Sequence, residues 1–138
     1  MSGEYVERLK RRAKAFLSEA EEARDPDLAV FFAEQSMQLY VKAVCYELFG
    51  VAPRGRRLRE LVGLLARSLA AHGYVEQADR LARFVDRNRR LLILAEEAYA
   101  ASRYGDVDYT PQDALQLARL ARALMGVLEE ARRGVELG

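Results

Sequence analysis

The amino-acid sequence predicts an all-α protein, an antiparallel up-and-down bundle of four to five helices. Apolar residues make up 51% of the chain and recur every three to four positions over long stretches, as on one face of an α-helix. No stretch alternates between apolar and polar residues for long enough to predict a β-strand. A chain of 138 residues can bury one core, so we expect residues 1–138 to form a single domain.

The first two helices are separated by a restart signal. Periodic apolar residues predict the first helix over about residues 4–23. The pair Asp25-Pro26 then supplies a side chain that can cap a helix and a proline suited to the first helical position. We expect the second helix to run to about Phe49, where Gly50 can adopt the left-handed conformation that ends many helices.

The second helix is apolar on more than one side. One stripe follows Val30, Met37 and Val44, and much of a second stripe is formed by Phe31, Phe32 and Leu39. A helix with this pattern needs cover on several faces. We therefore expect it to be central in the bundle or shared with a second subunit.

Three further segments complete the predicted bundle. A third helix is expected over about residues 57–71, ended by His72-Gly73, and a long fourth helix over about residues 74–102. The segment Thr110–Asp113 combines a capping hydroxyl, a proline at the first helical position and an acidic residue at the third, so it begins the last helix. Because the connections are short, consecutive helices should pack antiparallel.

Composition excludes several classes of function. The formal net charge is +1, so overall charge points to neither nucleic acid nor a membrane surface. The single cysteine, Cys45, excludes an internal disulfide and a multi-cysteine metal site. The sequence has no glycine-rich phosphate loop, no metal-ligand spacing and no apolar stretch of transmembrane or signal-peptide type. We expect a cytoplasmic protein without a metal, a cofactor or a membrane association.

Arginine dominates the basic residues, with 19 arginines against three lysines. Four arginines of the predicted fourth helix fall within an arc of roughly 80° beside its apolar stripe. This basic row consists of Arg80, Arg83, Arg87 and Arg90. It could follow a phosphate backbone, or it could pair with Glu76, with a neighbouring helix or with another subunit. A second basic cluster, which includes Arg56, opens the third helix and has the same two interpretations.

Another candidate site lies where the predicted fourth helix ends. Residues 99–109 contain three tyrosines, one arginine and two aspartates. Aromatic rings stack on bases and a guanidinium group binds phosphate, so this composition suits a nucleotide. The alternative is that Tyr99 and Tyr104 close the end of the bundle while Asp106 and Asp108 shape the turn.

The second helix also carries a polar stripe, because Gln35, Gln38 and Lys42 share one helix face. The stretch over residues 31–43 resembles the second-helix signature of the HEPN family, the higher eukaryote and prokaryote nucleotide-binding domain. That signature has a Gln, a Glu three residues later and Lys-Ala four residues beyond. Gln35, Lys42 and Ala43 match it, and Gln38 replaces the Glu.

Two later segments are similar to motifs of the same family. Residues 56–61 resemble its His-x-Leu-x-x-Leu start of helix three, with Arg56 in place of the His. The segment Ser102–Gly105 is similar to the Ala-Arg-Tyr-Pro that follows the family's long fourth helix. The resemblance covers nearly the whole chain and implies a four- to five-helix bundle, commonly a homodimer.

The resemblance also implies a partner and an activity to consider. In bacteria and archaea such domains are often encoded beside a minimal nucleotidyltransferase, as a two-component, toxin–antitoxin-like system. Many members are metal-independent ribonucleases that use an Arg, four to six intervening residues and a His. Arg103 could occupy the Arg position, but Asp108, Tyr109 and Thr110 stand where the His is expected. An ordinary Asp is ionised near neutrality and could not donate a proton, so we assign no catalytic residue.

The leading hypothesis is a nucleotide- or RNA-binding and assembly protein that dimerises and pairs with a minimal nucleotidyltransferase. In it, Arg103 contacts phosphate, Tyr104 or Tyr109 stacks on a base, and Asp108 belongs to the same site. An inner or dimer-facing polar patch is formed by Gln35, Gln38 and Lys42, and Arg56 is a further binding candidate. Two alternatives stay open: a divergent metal-independent HEPN ribonuclease, and a purely structural helical-bundle subunit that dimerises along the stripe of Phe31, Phe32 and Leu39.

Overall fold

The computed structural model describes the backbone of residues 2–55, 57–104 and 108–137 and the side chains of residues 3–55, 57–99 and 108–136. Over these residues the chain forms six helices and no strand, which confirms the predicted all-α class. The helices are α1 (Ser2–Glu22), α2 (Pro26–Phe49), α3 (Leu58–Ala71), α4 (Val75–Arg87), α5 (Arg89–Tyr104) and α6 (Pro111–Leu137).

Helix α2 begins and ends where its local sequence predicts. The Asp25 carboxylate accepts a hydrogen bond from the Asp27 N–H at 2.9 Å, and Pro26 occupies the start of the helix. Gly50 has a φ of 72° and donates its N–H to the Tyr46 carbonyl oxygen at 2.8 Å. Both ends of the central helix are therefore determined by residues next to them in sequence.

Helix α2 lies at the centre of the bundle, as its apolar circumference predicts. It packs against α1, α3, α5 and α6, and α4 is the helix that it does not contact over the described residues. Val30, Met37 and Val44 are fully buried, and Phe32 and Leu39 of the second stripe pack half-buried against the core. Burial on several faces is possible because four neighbouring helices surround α2.

The long helix predicted over residues 74–102 is two helices, so that prediction is wrong at its middle. Asn88 has φ −114° and ψ 20°, outside the helical region, and it separates α4 from α5. Its side-chain Nδ2 donates to the Phe84 carbonyl oxygen at 2.9 Å, which the Asn88 N–H also contacts at 3.1 Å. A side chain that bonds a carbonyl one turn back competes with the helical hydrogen bonds and favours an interruption. As a result, α4 packs on α3 and α6, whereas α5 packs mainly on α2.

Helix α6 starts with the predicted capping arrangement. The Asp113 N–H donates to Thr110 Oγ1 at 3.0 Å, and the Thr110 N–H donates to Asp113 Oδ2 at 3.0 Å. Beyond this cap, Leu117, Leu124 and Leu128 are fully buried and continue the core along the helix.

A continuous apolar core joins all six helices. Buried members from successive helices include Ala13, Val41, Leu61, Leu81, Leu92 and Leu124. Cys45 belongs to the same core, and burial raises the pKa of its thiol to about 12. None of the described helices combines the length and the apolar content needed to cross a bilayer.

Candidate functional site

The polar stripe predicted on α2 is organised around Glu34, a residue that sequence reasoning missed. Glu34 is 0% exposed. Gln35 Nε2 donates to Glu34 Oε1 at 2.8 Å, and Gln38 Nε2 donates to Glu34 Oε2. Lys42, two turns further along, is half-buried and close enough for its charge to act on the same carboxyl group. The three predicted residues Gln35, Gln38 and Lys42 therefore surround one buried carboxyl group.

Burial raises the pKa of Glu34 to about 7, because a carboxylate loses its hydration inside the bundle. The two amide donors and the Lys42 charge oppose this rise, and the nearby Glu96 carboxylate adds to it. The carboxyl group of Glu34 therefore titrates near neutrality. A signal for it existed in the sequence, since Glu34 is the one acidic residue in the mostly apolar run over residues 28–46.

An ion pair between α3 and α5 forms the border of this site. Arg59 Nε and Nη2 each donate to Glu96 at 2.9 Å, in a two-pronged arrangement. Glu96 Oε2 also accepts the Arg59 backbone N–H at 3.2 Å. Because Arg57, at the N-cap of α3, supplies no side-chain capping bond, Glu96 of α5 satisfies a free amide at the start of α3. This contact ties the start of α3 to the middle of α5 beside Glu34.

The segment after α5 is attached to the first turn of α2. The backbone N–H of Tyr109 donates to Asp27 Oδ1 at 2.8 Å. Tyr109 is 7% exposed, and burial followed by the charges of Glu97, Asp27 and Asp113 raises the pKa of its hydroxyl. Asp108, the preceding residue, is exposed. The buried ring of Tyr109 is thus packed against protein, which leaves its backbone as the link between the chain after α5 and α2.

Asp27→Ala should lower the free energy of unfolding by about 1–2 kcal/mol, because it removes both the acceptor for Tyr109 and a negative charge at the start of α2. Urea denaturation measures the change, and hydrogen exchange should show faster exchange of the Tyr109 amide. Asp79→Ala, at an exposed aspartate of α4, is the matched control and should change neither value appreciably. Unchanged exchange at Tyr109 in Asp27→Ala would contradict the proposed anchor.

Three predicted residues fall beyond what the structure describes in full. Arg103 and Tyr104 lie in the last turn of α5, and their side chains are outside the described part of the chain. Arg56 lies outside the described residues altogether. Their roles stay predictions.

The basic row is not a row on one helix. Helix α4 carries Arg80, Arg83 and Arg87, whereas Arg90 follows the interruption at Asn88 and belongs to α5. The prediction that all four arginines lie on one helix is therefore wrong for Arg90. Arg80 contacts Glu130 of α6 at 3.2 Å and Glu76 at 3.7 Å, as the ion-pair interpretation predicts. Within the described residues Arg83, Arg87 and Arg90 make no ion pair.

The described residues bring together no group of three or more His, Cys, Asp or Glu side chains that could hold a metal ion. The chemistry offered by the site is instead that of amide groups, one lysine and a carboxyl group that can exchange a proton near neutral pH.

In a comparison with known families, the model of the HEPN domain matches residues 6–131. Comparisons with curated proteins and with solved structures find no similar chain. The matched segment contains the polar stripe of α2, the Arg59–Glu96 contact and the link from Tyr109 to Asp27.

Proposed function

The chain belongs to the HEPN domain family, and from this premise we propose that it binds the phosphate of a nucleotide or an RNA through Arg103. Family membership connects the protein with nucleotides or RNA in general terms. The proposal adds a location, which is the end of α5 beside the polar stripe of α2, and assigns roles to individual residues there.

One observation carries this location. The hydrogen bond from Tyr109 to Asp27 holds the chain after α5 against the first turn of α2, the helix that bears Gln35, Gln38 and Lys42. Tyr104 lies five residues before Tyr109, and five residues of extended chain span at most about 18 Å. Because α5 also packs along α2, we infer that the last turn of α5 lies on the Asp27 side of the polar stripe.

Each residue type then has a chemical role. The Arg103 guanidinium can form two parallel hydrogen bonds with a phosphate group, and the ring of Tyr104 can stack on a base. Stacking is assigned to Tyr104 because the ring of Tyr109 is buried. Lys42 and the two glutamines supply a positive charge and amide groups along α2. Asp108, Tyr109 and Thr110 stand where the family's histidine is expected, so the site offers no imidazole there to transfer a proton, and the proposed function is binding without cleavage.

The family resemblance also supports an assembly role. We propose that the protein forms a homodimer and acts with a minimal nucleotidyltransferase as a two-component, toxin–antitoxin-like pair. The half-buried apolar stripe of Phe31, Phe32 and Leu39 on α2 offers apolar area for the contact between subunits.

Arg103→Ala should weaken binding of ATP and of a short single-stranded RNA, measured by isothermal titration calorimetry with the full chain. The expected loss is about tenfold or more in affinity, because a charge-assisted contact with phosphate disappears. Arg67→Ala is the matched control, since Arg67 is exposed on α3 and makes no ion pair within the described residues. If Arg103→Ala and Arg67→Ala bind both ligands as tightly as the unchanged protein, the assignment of Arg103 is wrong.

A further inference from the structure

A groove of about 260 Å³ lies between the end of α2 and the middle of α3, under the chain that connects the two helices. We call it the α2/α3 groove. The buried side chains of Cys45 and Leu65 form its floor, and Phe49 of the last turn of α2 forms one wall. At 1.5 Å per residue, Phe49 lies about 33 Å along α2 from Asp27. The groove is therefore far from the site proposed around Arg103.

Local contacts hold the walls of the α2/α3 groove in place. The ring of Phe49 lies against the ring of His72, with the centroids 4.9 Å apart. His72 Nδ1 donates to the Ser68 carbonyl oxygen at 2.8 Å, which ties the ring to the last turn of α3. On the opposite side, the backbone of Gly55 is so close to α3 that a Cβ atom there would lie 3.3 Å from Leu61 Cδ2. Because the walls are already fixed, a ligand loses little affinity to the ordering of protein groups.

The rim of the groove exposes apolar side chains to water. Val51 is 65% exposed and Leu64 is 40% exposed, and both line the groove together with Pro53. They are two of only a few large apolar residues that the described part of the chain leaves exposed. Covering apolar surface is favourable, so these side chains offer binding energy to an apolar group that enters the groove.

The groove has one charge, and that charge has no partner. Arg54 lines the groove, is exposed and makes no ion pair within the described residues. None of the described side chains that line the groove is acidic, and Glu60 nearby on α3 contacts Arg57 at 3.9 Å. The thiol of Cys45 is uncharged at neutral pH, since burial raises its pKa to about 12. The groove is therefore an apolar surface with a single available cation at its edge.

We propose that the α2/α3 groove binds a monocarboxylic acid with a medium-length hydrocarbon body. One carboxylate matches the one guanidinium group in charge, and its two oxygens can accept two parallel hydrogen bonds from Arg54. At about 30 Å³ for a water-sized group, a groove of 260 Å³ holds roughly eight or nine such groups. The hydrocarbon body lies between Leu64 and Phe49, and the carboxylate lies at the rim.

Three small molecules test the two halves of this ligand by isothermal titration calorimetry on the full chain. Octanoate should bind with a dissociation constant below about 1 mM. Octan-1-ol has the same chain without the charge and should bind about tenfold more weakly. Butyrate keeps the carboxylate but has four methylene groups fewer, and it should bind more weakly than octanoate by at least about tenfold.

Two substitutions test the residues. Arg54→Gln should weaken octanoate binding by about tenfold and leave octan-1-ol binding unchanged, a difference that a general loss of structure would not produce. Leu64→Ala should weaken the binding of both molecules by about fivefold, because it removes part of the apolar wall. The matched controls lie on α6: Arg119→Gln, at an exposed arginine without an ion pair in the described structure, and Leu115→Ala, at a leucine that is 45% exposed.

The proposal is supported if octanoate binds the unchanged protein, both control variants and Arg103→Ala equally, and binds Arg54→Gln and Leu64→Ala more weakly. It is overturned if octanoate at about 10 mM shows no binding, or if octan-1-ol or butyrate binds as tightly as octanoate. Equal octanoate affinity in Arg54→Gln and Arg119→Gln also overturns it. Loss of octanoate binding in Arg103→Ala would place the molecule at the other site. If octanoate instead converts a dimer into monomers on a sizing column, the groove is covered by a second copy of the chain, and the proposal is wrong.

Discussion

Glu34→Gln should raise the free energy of unfolding at pH 8.5 relative to the unchanged chain. The difference between the two proteins at pH 8.5 should exceed their difference at pH 4 by roughly 2–3 kcal/mol. Glu34 is fully buried, and its pKa is raised to about 7 from an ordinary value of 4.5. The folded protein therefore holds a proton on Glu34 that the unfolded chain releases. The stability that this proton contributes is complete below pH 4.5 and is lost as the pH rises through 7. Glutamine has nearly the same shape as glutamate and cannot ionise, so the stability of Glu34→Gln should not fall as the pH rises through 7.

Urea denaturation of both proteins at intervals between pH 4 and pH 8.5 measures this difference. The two curves of unfolding free energy against pH should separate between pH 4.5 and 7 and run parallel above. Glu19→Gln is the matched control, because Glu19 is an exposed glutamate of α1, and its curve should follow that of the unchanged protein. Parallel curves for Glu34→Gln over the whole range would show that the folded protein binds the Glu34 proton no more tightly than the unfolded chain does.

Glu129→Gln should have the opposite effect and lower the free energy of unfolding at pH 7 by about 2–3 kcal/mol. The Glu129 carboxylate accepts hydrogen bonds from Lys10, Tyr40 and Arg132. These donors lower its pKa to about 2 against the opposing effect of burial. The stability that the charge contributes is present above pH 4.5 and is lost as the pH falls toward 2. A neutral amide leaves Lys10 and Arg132 with less negative charge to balance them.

The measurement is again urea denaturation, at pH 7 and at pH 3.5. The free energy of unfolding of Glu129→Gln should fall short of that of the unchanged protein by more at pH 7 than at pH 3.5. Glu130→Gln is the matched control, because Glu130 is the next residue of α6 and forms an exposed ion pair with Arg80, which contributes about 0.5 kcal/mol or less. If the two variants lose the same free energy of unfolding at pH 7, the three donors to Glu129 stabilise the protein no more than a surface ion pair does.

The polar site was predicted only where the signal lies within one helix. Gln35, Gln38 and Lys42 share a face of α2 because of the helical repeat, and the sequence shows this directly. Their common partner, Glu34, was missed because the stripe alone does not show which way its acidic neighbour points. The contact between Arg59 and Glu96 could not be predicted either, since 37 residues separate them and the fold alone brings them together.

The sequence by itself determined the all-α class and the ends of most helices. Asp25-Pro26, Gly50 and the Thr110–Asp113 cap act through hydrogen bonds and backbone preferences within a few residues of each other, so their effect can be read locally. The tertiary structure decided the interruption at Asn88, the burial of Glu34 and the groove between α2 and α3. These depend on which helices pack side by side, because burial and charge pairing are set by neighbours that are distant in sequence.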